Sequence, residues 1–244
     1  QADFLLLAVI DHDAKTIRQL QIDRDTIVPV SVLGLFGNKA GSRDMQICLA
    51  HGYGVDKQER CKNTLASVQA LLGGQSIELY VEIPLDGIGA LNDLLGGVTV
   101  TLLDDFTASD PTMTAGKTLT LTDQQAEILV RSRMSMAVGT NEARMSRQRI
   151  FMDAAIPMIR ERISENSGFA SEMLDSLSPY LTTNMVRGRM INELNKAYHY
   201  DVQPVEYLTG EHTIGDDGFV EFHVVSQSAV DFVLSAFYTK RDAQ

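Results

Sequence analysis

The hydrophobic residues of this chain fall into short blocks whose spacing predicts strands and helices. Residues 4–22 hold an apolar run, the turn sequence DHDAK and a second run rich in branched residues, which predicts two strands joined by a hairpin. The segment from Gly34 to Arg60 is irregular and rich in glycine and charge, which predicts a long surface loop. Asn63 then precedes an apolar repeat at helical spacing that stops at Gly73, so we predict a helix capped by Asn63.

The middle of the chain alternates between strand and helix patterns. SIELYVEIP alternates as a strand does, LDGIGALNDLLGG follows as a short helix, and VTVTLL predicts another strand. This order is typical of a parallel crossover in an α/β sheet. Thr122 and Gln125 form a capping box, which predicts that the next helix begins there and runs to about Val130.

The C-terminal part of the chain predicts more helices than strands. The helix that contains NEARMSRQRIFM continues past Pro157, which should kink it, to about Ile163. Residues 169–199 have helical spacing in two pieces, DVQPVEYL and GFVEFHVV predict strands, and AVDFVLSAFY predicts a closing helix. The pattern as a whole predicts an α/β fold.

Composition narrows the classes of function. With 244 residues, of which 44% are hydrophobic, the chain can bury a sizeable core as one large domain or two small ones. Its 32 acidic residues outnumber 21 basic ones, and this net charge of −11 argues against a protein that coats nucleic acid. No apolar run is long enough to cross a membrane. The chain nevertheless begins just before a buried strand, so we expect further natural sequence upstream.

One segment of this acidic chain is strongly basic. Residues 131–149 contain five arginines and a single acid, Glu142. On a helix, Arg144, Arg147 and Gln148 share one face because they are three or four positions apart. No lysine occurs in the segment, and a planar guanidinium can bind two oxygens of a phosphate at once, which suits a diphosphate ligand.

The same segment contains a second pair of arginines. Arg131 and Arg133 are two positions apart, so in an extended chain they point to the same side. Four of the five arginines can converge if the MAVGT turn folds back. For any one of them, a surface ion pair with Asp or Glu is the better interpretation. For the whole cluster, we favour an anion site.

The turn sequence DRDT lies at the end of the second predicted strand. Its Arg24 adds to the basic set, because loops at strand ends are where α/β folds place ligands. Asp3 and Asp25 are candidate Mg²⁺ ligands, since that ion is usually bound by one or two carboxylates and substrate phosphates. Taken singly, each Asp is more often a cap or turn residue.

Two cysteines, Cys48 and Cys61, are 13 positions apart. They can close a small disulfide loop, which would stabilise the fold by roughly 3 kcal/mol. They are equally compatible with two buried thiols. Spacing alone does not choose between these alternatives.

The motifs of this chain, taken in order, resemble those of the LytR-CpsA-Psr family, also known as cell envelope-related transcriptional attenuators. The resemblance covers residues 1–163 closely and rests on six motifs in order, each weak alone. They are QADF at the place of R-S-D-T, DRDT for R-D-T, LAHGYG for A-x-x-Y-G, LNDLLGGVTV for L-G-G-V-x-V, VRSR for R-x-R and ARMSRQR for R-x-x-R-Q.

The resemblance implies a fold, a location and an activity. The expected fold is a central mixed β-sheet flanked by helices on both faces, a three-layer α/β arrangement, with residues 1–163 as core and residues 164–244 as an extension packed on the same domain. Family members are anchored by an N-terminal transmembrane helix, here upstream of the chain, on the outer face of the cytoplasmic membrane of Gram-positive bacteria. They are transferases that move a glycan, such as teichoic acid or capsular polysaccharide, from a polyprenyl-pyrophosphate carrier to a peptidoglycan hydroxyl.

The resemblance also implies roles for particular residues. Asp3 is expected to bind Mg²⁺, with Asp25 as the second candidate carboxylate. The resemblance implies that the pyrophosphate is bound by Arg24, Arg131, Arg133, Arg144 and Gln148. Arg147 is added to this set because it shares a helix face with Arg144 and Gln148. The extracellular location favours the disulfide between Cys48 and Cys61. The lipid tail would need an apolar tunnel, for which Phe36, Leu71, Leu72, Leu95, Phe151 and Ile156 are available, although ordinary core is the alternative for each.

Three residues depart from the family pattern. Gln1 stands where the family usually has Arg, Gln46 or a neighbour replaces a common Lys, and Asn141 occupies a place where many members have Asp. An amide does not take up a proton near neutral pH, so Asn141 cannot act as a base. An alternative function is therefore a protein that binds or senses polyprenyl phosphate without turnover. Transcription control would need a DNA-reading element, and the sequence contains no basic helix-turn-helix.

Overall fold

The computed structural model describes residues 1–131 and 141–238, with the side chains of residues 141–144 outside that description. The chain divides into two compact units. Unit 1 comprises Gln1–Tyr80 and the chain from Tyr200 on, and unit 2 comprises Val81–His199.

Strands and helices are interspersed along both units. The strands are β1 (Leu5–Asp11), β2 (Thr16–Ile22), β3 (Ile27–Leu33), β4 (Lys39–Gln46), β5 (Val81–Glu82), β6 (Thr99–Thr101), β7 (Thr118–Thr120), β8 (Thr182–Thr183), β9 (Asp201–Glu206), β10 (Gly210–Ile214) and β11 (Val220–Val224). The helices are α1 (Lys57–Leu71), α2 (Leu85–Leu94), α3 (Asp123–Arg131), α4 (Asn141–Glu165), α5 (Phe169–Leu177), α6 (Arg187–Ala197) and α7 (Ser226–Phe237), with a 3₁₀ helix at Ile47–Gly52. The predicted mixed α/β class is confirmed.

Unit 1 is built around a mixed three-stranded sheet. Strands β1 and β2 pair antiparallel from Leu5 opposite Ile22 to Asp11 opposite Thr16, which confirms the predicted hairpin. Strand β9, far along the chain, adds to β2 in parallel. The hairpins β3–β4 and β10–β11 complete the strands of this unit.

The predicted loop from Gly34 to Arg60 is wrong. It contains β4, the 3₁₀ helix and the start of α1, whose N-cap is Asp56 rather than Asn63. The six residues Lys39–Asp44 of β4 are exposed on both faces, so the strand carries no alternation of apolar and polar residues. The first turn of α1 is also polar. Neither β4 nor the start of α1 therefore has the spacing of apolar residues from which it could have been predicted.

Each unit has a hydrophobic core of its own. The core of unit 1 consists of Leu20, Ile22, Val28, Val30, Ile47, Ala50, Val68, Leu72, Leu208, Ala229 and Phe232. The core of unit 2 is centred on Leu91, Leu95, Val98, Val100, Leu102, Phe106, Met113, Leu121, Leu129, Phe151 and Phe169.

Strand pairing in unit 2 differs from the predicted parallel crossover. Strand β5 pairs antiparallel with β8, and β6 pairs antiparallel with β7, so the strands on either side of α2 belong to separate two-stranded sheets. Such short strands leave the choice of partner to packing rather than to their order in the chain. The predicted capping box is confirmed, because Thr122 N–H donates to Gln125 Oε1 (3.0 Å) and Gln125 N–H to Thr122 Oγ1 (3.3 Å).

The division into units does not follow the boundary predicted at residue 163. That position lies inside unit 2, within α4, which runs to Glu165 with Pro157 in its interior. Residues from Tyr200 on belong with the N-terminal strands because β9 pairs with β2. Pairing between strands so far apart in sequence leaves no local signal.

Candidate functional site

The DRDT sequence forms a compact turn after β2 in unit 1. Asp23 Oδ1 accepts the N–H of Asp25 (2.8 Å), and the Asp23 carbonyl accepts both the N–H (3.1 Å) and the hydroxyl (2.6 Å) of Thr26. These bonds are typical of an Asp-initiated turn. They fix the backbone on both sides of Arg24 and therefore the direction from which its side chain emerges.

The Arg24 side chain is held by three chain segments. Nη1 forms an ion pair with Asp3, Nη2 donates to Gln1 Oε1 (3.1 Å) and Nη2 also contacts Cys48 Sγ (3.1 Å). Nε lies 3.5 Å from Asp25 Oδ1. The backbone is joined as well, since Cys48 N–H donates to the Arg24 carbonyl (3.1 Å). The guanidinium is therefore fixed before any ligand arrives.

The electrostatics of this group keep Arg24 charged. Burial opposes the charge on Arg24, but Cys48, Asp3 and Asp25 more than offset that effect, so the pKa of Arg24 lies above its ordinary value. Burial also raises the pKa of the Cys48 thiol, and Arg24 offsets only part of this rise. Cys48 is therefore a neutral thiol at neutral pH, and the negative charges that face Arg24 are the two carboxylates.

The two candidate metal ligands both lie next to Arg24. Asp3 and Asp25 are carboxylates on either side of one guanidinium, which matches the way Mg²⁺ is bound by one or two carboxylates together with substrate phosphates. Across residues 1–131 and 141–238, no group of three or more His, Cys, Asp or Glu is arranged to hold a metal. The two carboxylates supply oxygen atoms of the kind that Mg²⁺ prefers, so a metal shared with a phosphate ligand stays a prediction for this turn.

The C-terminal hairpin β10–β11 supports the same turn, which sequence reasoning missed. Phe222 N–H donates to the Asp25 carbonyl (2.8 Å), and His212 Nε2 lies 3.0 Å from Asp23 Oδ2. Gln46, one of the departures from the family pattern, donates from Nε2 to Asp25 Oδ1 (3.1 Å) and to the carbonyl of Val220 (2.6 Å). The extension therefore holds Asp25 in place.

Unit 2 contains the second set of predicted site residues. Arg147 is 1% exposed and its Nη1 lies 2.8 Å from Asp104 Oδ2, so it forms an ion pair inside its own unit. Gln148 is also buried, with Nε2 3.4 Å from the carbonyl of Val130. Both residues therefore have protein partners within unit 2, and their contact with a ligand stays a prediction.

The structure describes the side chains of only some of the other arginines in this segment. Arg131 is exposed at the end of α3, and Arg149 pairs with Asp153 one turn along α4. Arg133 and the side chain of Arg144 lie outside the described residues. The convergence of the arginines on one ligand therefore stays a prediction.

The structure corrects the disulfide. Cys48 and Cys61 are both buried and are not joined to each other. Cys48 Sγ is turned toward Arg24, whereas Cys61 lies on α1, which begins four residues earlier than it. The alternative of two buried thiols is the one that the structure shows.

The apolar residues considered for a lipid tunnel lie mostly in the two cores. Leu72 belongs to the core of unit 1, whereas Leu95 and Phe151 belong to the core of unit 2. Leu71 packs against the core of unit 1, Ile156 is half-buried on α4, and Phe36 is 96% exposed. Of the helices that the structure describes, none combines the length and apolar character needed to span a bilayer.

Several solved structures share the fold of this chain. A structure of protein gbs0355 from Streptococcus agalactiae matches with a TM-score of 0.78 at 19% identity, covering 98% of this chain and 81% of that one. TagV of B. subtilis matches with a TM-score of 0.73 at 20% identity, covering 98% and 90%. TagT bound to LI-WTA matches with a TM-score of 0.72 at 20% identity, covering 96% and 83%. No curated protein matches the chain significantly in sequence.

The sequence model of the LytR_cpsA_psr family matches residues 1–233, which includes both units. The chain therefore belongs to the LytR_cpsA_psr family. The match extends well beyond residue 163, so the extension that carries β9, β10 and β11 is part of the family domain.

Proposed function

We propose that this protein is an envelope phosphotransferase, located on the outer face of the cytoplasmic membrane, that moves a glycan from a polyprenyl-pyrophosphate carrier to a hydroxyl of peptidoglycan. The observation that carries the proposal is the fixed Arg24 guanidinium between Asp3 and Asp25, at the turn after β2. Membership of the family and the likeness to TagT, whose structure holds LI-WTA, support a glycopolymer of the wall teichoic acid class as cargo.

The proposed reaction breaks one phosphoanhydride bond. The oxygen of the acceptor hydroxyl attacks the phosphorus on the glycan side of the pyrophosphate, and the bond from that phosphorus to the bridging oxygen breaks. Polyprenyl phosphate leaves with that oxygen, the glycan remains joined through a phosphodiester, and the hydroxyl proton is released to solvent. Catalysis of such a step consists mainly of positioning and of stabilising charge on the phosphate oxygens.

Arg24 supplies the fixed positive charge in this scheme. Its contacts with Gln1, Asp3 and Cys48 hold the guanidinium, so binding a phosphate costs little side-chain reorganisation. Arg131, Arg133, Arg144, Arg147 and Gln148 are proposed to add further donors, as the family resemblance implies. Of these, Arg147 and Gln148 already have protein partners in unit 2.

Mg²⁺ is the proposed cofactor, held by Asp3 and Asp25 together with the substrate phosphates. When bound, it would polarise phosphate oxygens as a Lewis acid. The Asp3 carboxylate would then contact both the metal and Arg24, which ties the cation site to the phosphate site. Gln46 donates from Nε2 to Asp25 Oδ1 (3.1 Å), which limits the rotation of that carboxylate.

The test is transfer of a radiolabelled lipid-linked glycan to isolated peptidoglycan. Arg24→Ala should lower the rate by about 100-fold or more, the loss expected when a fixed donor to a phosphate oxygen is removed. Asp3→Asn keeps the size of the side chain and should weaken the dependence of the rate on Mg²⁺. Arg187→Ala, which removes an exposed arginine paired with Asp175 in unit 2, is the matched control and should leave the rate unchanged.

The same assay distinguishes a transferase from a protein that only binds the lipid. Asn141 favours that alternative, since it cannot serve as a base where many relatives have Asp. A protein that binds polyprenyl phosphate without turnover would retain the lipid in native mass spectrometry yet leave no label on the wall polymer. That outcome would contradict the transferase function.

A further inference from the structure

The tip of the β3–β4 hairpin presents two adjacent large apolar side chains to solvent. Leu35 is 100% exposed and Phe36 is 96% exposed. They are the two central residues of a tight turn, because Gly37 N–H donates to the Gly34 carbonyl (3.0 Å). Such positions are normally filled by Gly, Pro, Asn, Asp or Ser, and exposing both Leu and Phe to water has no benefit for folding.

The turn is well defined and stands at the end of an exposed ribbon. Gly34 N–H donates to the Asn38 carbonyl (2.8 Å), and Gly37 has a φ of +75°, a left-handed conformation that favours glycine. The first six residues of β4, Lys39–Asp44, are all exposed. Strand β4 is therefore an exposed edge that leads away from the apolar tip, while β3 beside it packs into unit 1 with Val30 fully buried.

A third apolar side chain lies beside the tip. A Cβ placed on Gly37 would come within 3.0 Å of Val55 Cγ1, and Val55 is itself 64% exposed. We call Leu35, Phe36 and Val55 the hairpin-tip patch. The patch comes from two segments of the chain that fold to the same place.

The charge around the patch is unlike that of the whole protein. The two segments that form the patch, residues 34–46 and 52–60, carry four cations, Lys39, Arg43, Lys57 and Arg60, against three acids, Asp44, Asp56 and Glu59, whereas the net charge of the whole chain is −11. Lys39 follows the turn directly and is exposed. An apolar tip with basic residues behind it is the arrangement that suits a membrane interface, where apolar groups enter the lipid and cations contact anionic headgroups.

From this geometry we propose that the hairpin-tip patch inserts into the surface of a bilayer that contains anionic lipid. This gives the domain a contact with the membrane through its folded part. The inference rests on the proposed function in one respect: a lipid-linked substrate, which lies in the same membrane surface, gives the insertion a use. Strand β3 separates the site after β2 from the tip, so insertion would keep that site within about 30 Å of the headgroups.

The proposal is tested by sedimentation of the protein with vesicles of phosphatidylcholine and phosphatidylglycerol. The double variant Leu35→Ser/Phe36→Ser should bind at least about tenfold more weakly than the wild type. The matched control is Phe219→Ser/Leu234→Ser, which removes a 64% and a 55% exposed apolar side chain elsewhere in unit 1 and should bind as the wild type does. Omitting phosphatidylglycerol should also weaken binding.

A second measurement reports insertion itself. The chain contains no tryptophan, so Phe36→Trp introduces a single reporter at the tip. Its fluorescence should shift to shorter wavelength with vesicles and be quenched by lipids brominated on their acyl chains. A tryptophan introduced by Phe219→Trp should show neither change. An unshifted emission from the tip would overturn the proposal.

The outcomes separate this proposal from the proposed function. Arg24→Ala should bind vesicles normally, and Leu35→Ser/Phe36→Ser should retain transfer from a short-chain substrate in solution. Equal vesicle binding by the wild type and the double variant would refute insertion while leaving the transferase function intact. Concentration-dependent dimers that the double variant abolishes would assign the patch to a second copy of the chain instead, and would also overturn the proposal.

Discussion

Arg24 and Arg147 are both largely buried, but their surroundings suit them to different roles. Arg147 is 1% exposed and its charge is met by Asp104, whose side chain is 22% exposed, within unit 2. Arg24 lies at a turn, beside Gln1 and two carboxylates that can also contact a cation, and its guanidinium can donate to a phosphate. Residue type alone could not distinguish these two roles.

Removing Arg147 should damage the fold rather than only a binding site. Arg147→Ala removes a fully buried side chain and leaves the partly exposed Asp104 carboxylate without its partner, so we expect the free energy of unfolding to fall by about 2 kcal/mol or more in urea denaturation. Arg187→Ala is the control, because its pair with Asp175 is exposed and should contribute at most about 1 kcal/mol. If Arg147→Ala unfolds like the wild type and only binds ligand less well, its role is in substrate binding.

Cys48 should make stability depend on pH in the alkaline range. Burial raises the pKa of the Cys48 thiol in the folded state, so its contribution to stability is present below the unfolded pKa, near 9.0, and is lost as pH rises through the folded pKa. The free energy of unfolding should therefore fall more steeply above that pH in the wild type than in Cys48→Ala. Parallel pH profiles of the wild type and Cys48→Ala would contradict this.

At the scale of elements, those with a strong local pattern were predictable and exposed or polar ones were not. The β1–β2 hairpin, the Thr122–Gln125 capping box and the helix through Pro157 all follow from spacing and cap chemistry. The helix after Asn63 was predicted as well, as the later part of α1, but the start of α1 was not. Its first turn is polar and its cap is Asp56, whose side chain accepts from Glu59 N–H (2.8 Å). Asn63, although a good cap residue by type, lies inside the helix.

Asn63 ties α1 to the elements around it. Its Nδ2 donates to the carbonyls of Ser31 (3.0 Å), Ala50 (3.2 Å) and Tyr53 (2.9 Å). Asn63→Ala should therefore cost about 2 kcal/mol or more, since buried carbonyls lose their donor. Asp56→Ala removes only a helix cap and should cost about 1 kcal/mol. Thermal unfolding of both variants tests the order, and a greater loss for Asp56→Ala would be inconsistent with it.

At the scale of the whole molecule, pairing between distant segments defines the units. Strand β9 joins β2 in parallel, and Leu208 and Phe232 complete the core of unit 1. The hairpin β10–β11 then holds the turn that carries Arg24. The C-terminal extension is thus an integral part of the fold and of the candidate site.

Truncation tests this organisation. A chain that ends at residue 163 loses β9 and the part of the unit 1 core that follows it, so it should lack cooperative urea unfolding. A chain that ends at Tyr238 keeps α7 and should unfold as the full chain does. Circular dichroism and amide hydrogen exchange of β1 and β2 provide the measurements. Native-like protection of β1 and β2 in the shorter chain would show that residues 1–163 fold independently.

The sequence by itself determined the α/β class, the first hairpin, several helices and the residue types of the candidate site, because these depend on spacing and on chemistry within a few positions. Tertiary structure decided that Cys48 faces Arg24 rather than Cys61, and that Arg147 pairs with Asp104. It also decided that β9 completes the N-terminal sheet. Each of these depends on contacts between residues far apart in the chain, and burial then gives each contact its energy. Local patterns do not encode which distant partner a side chain or strand edge will meet.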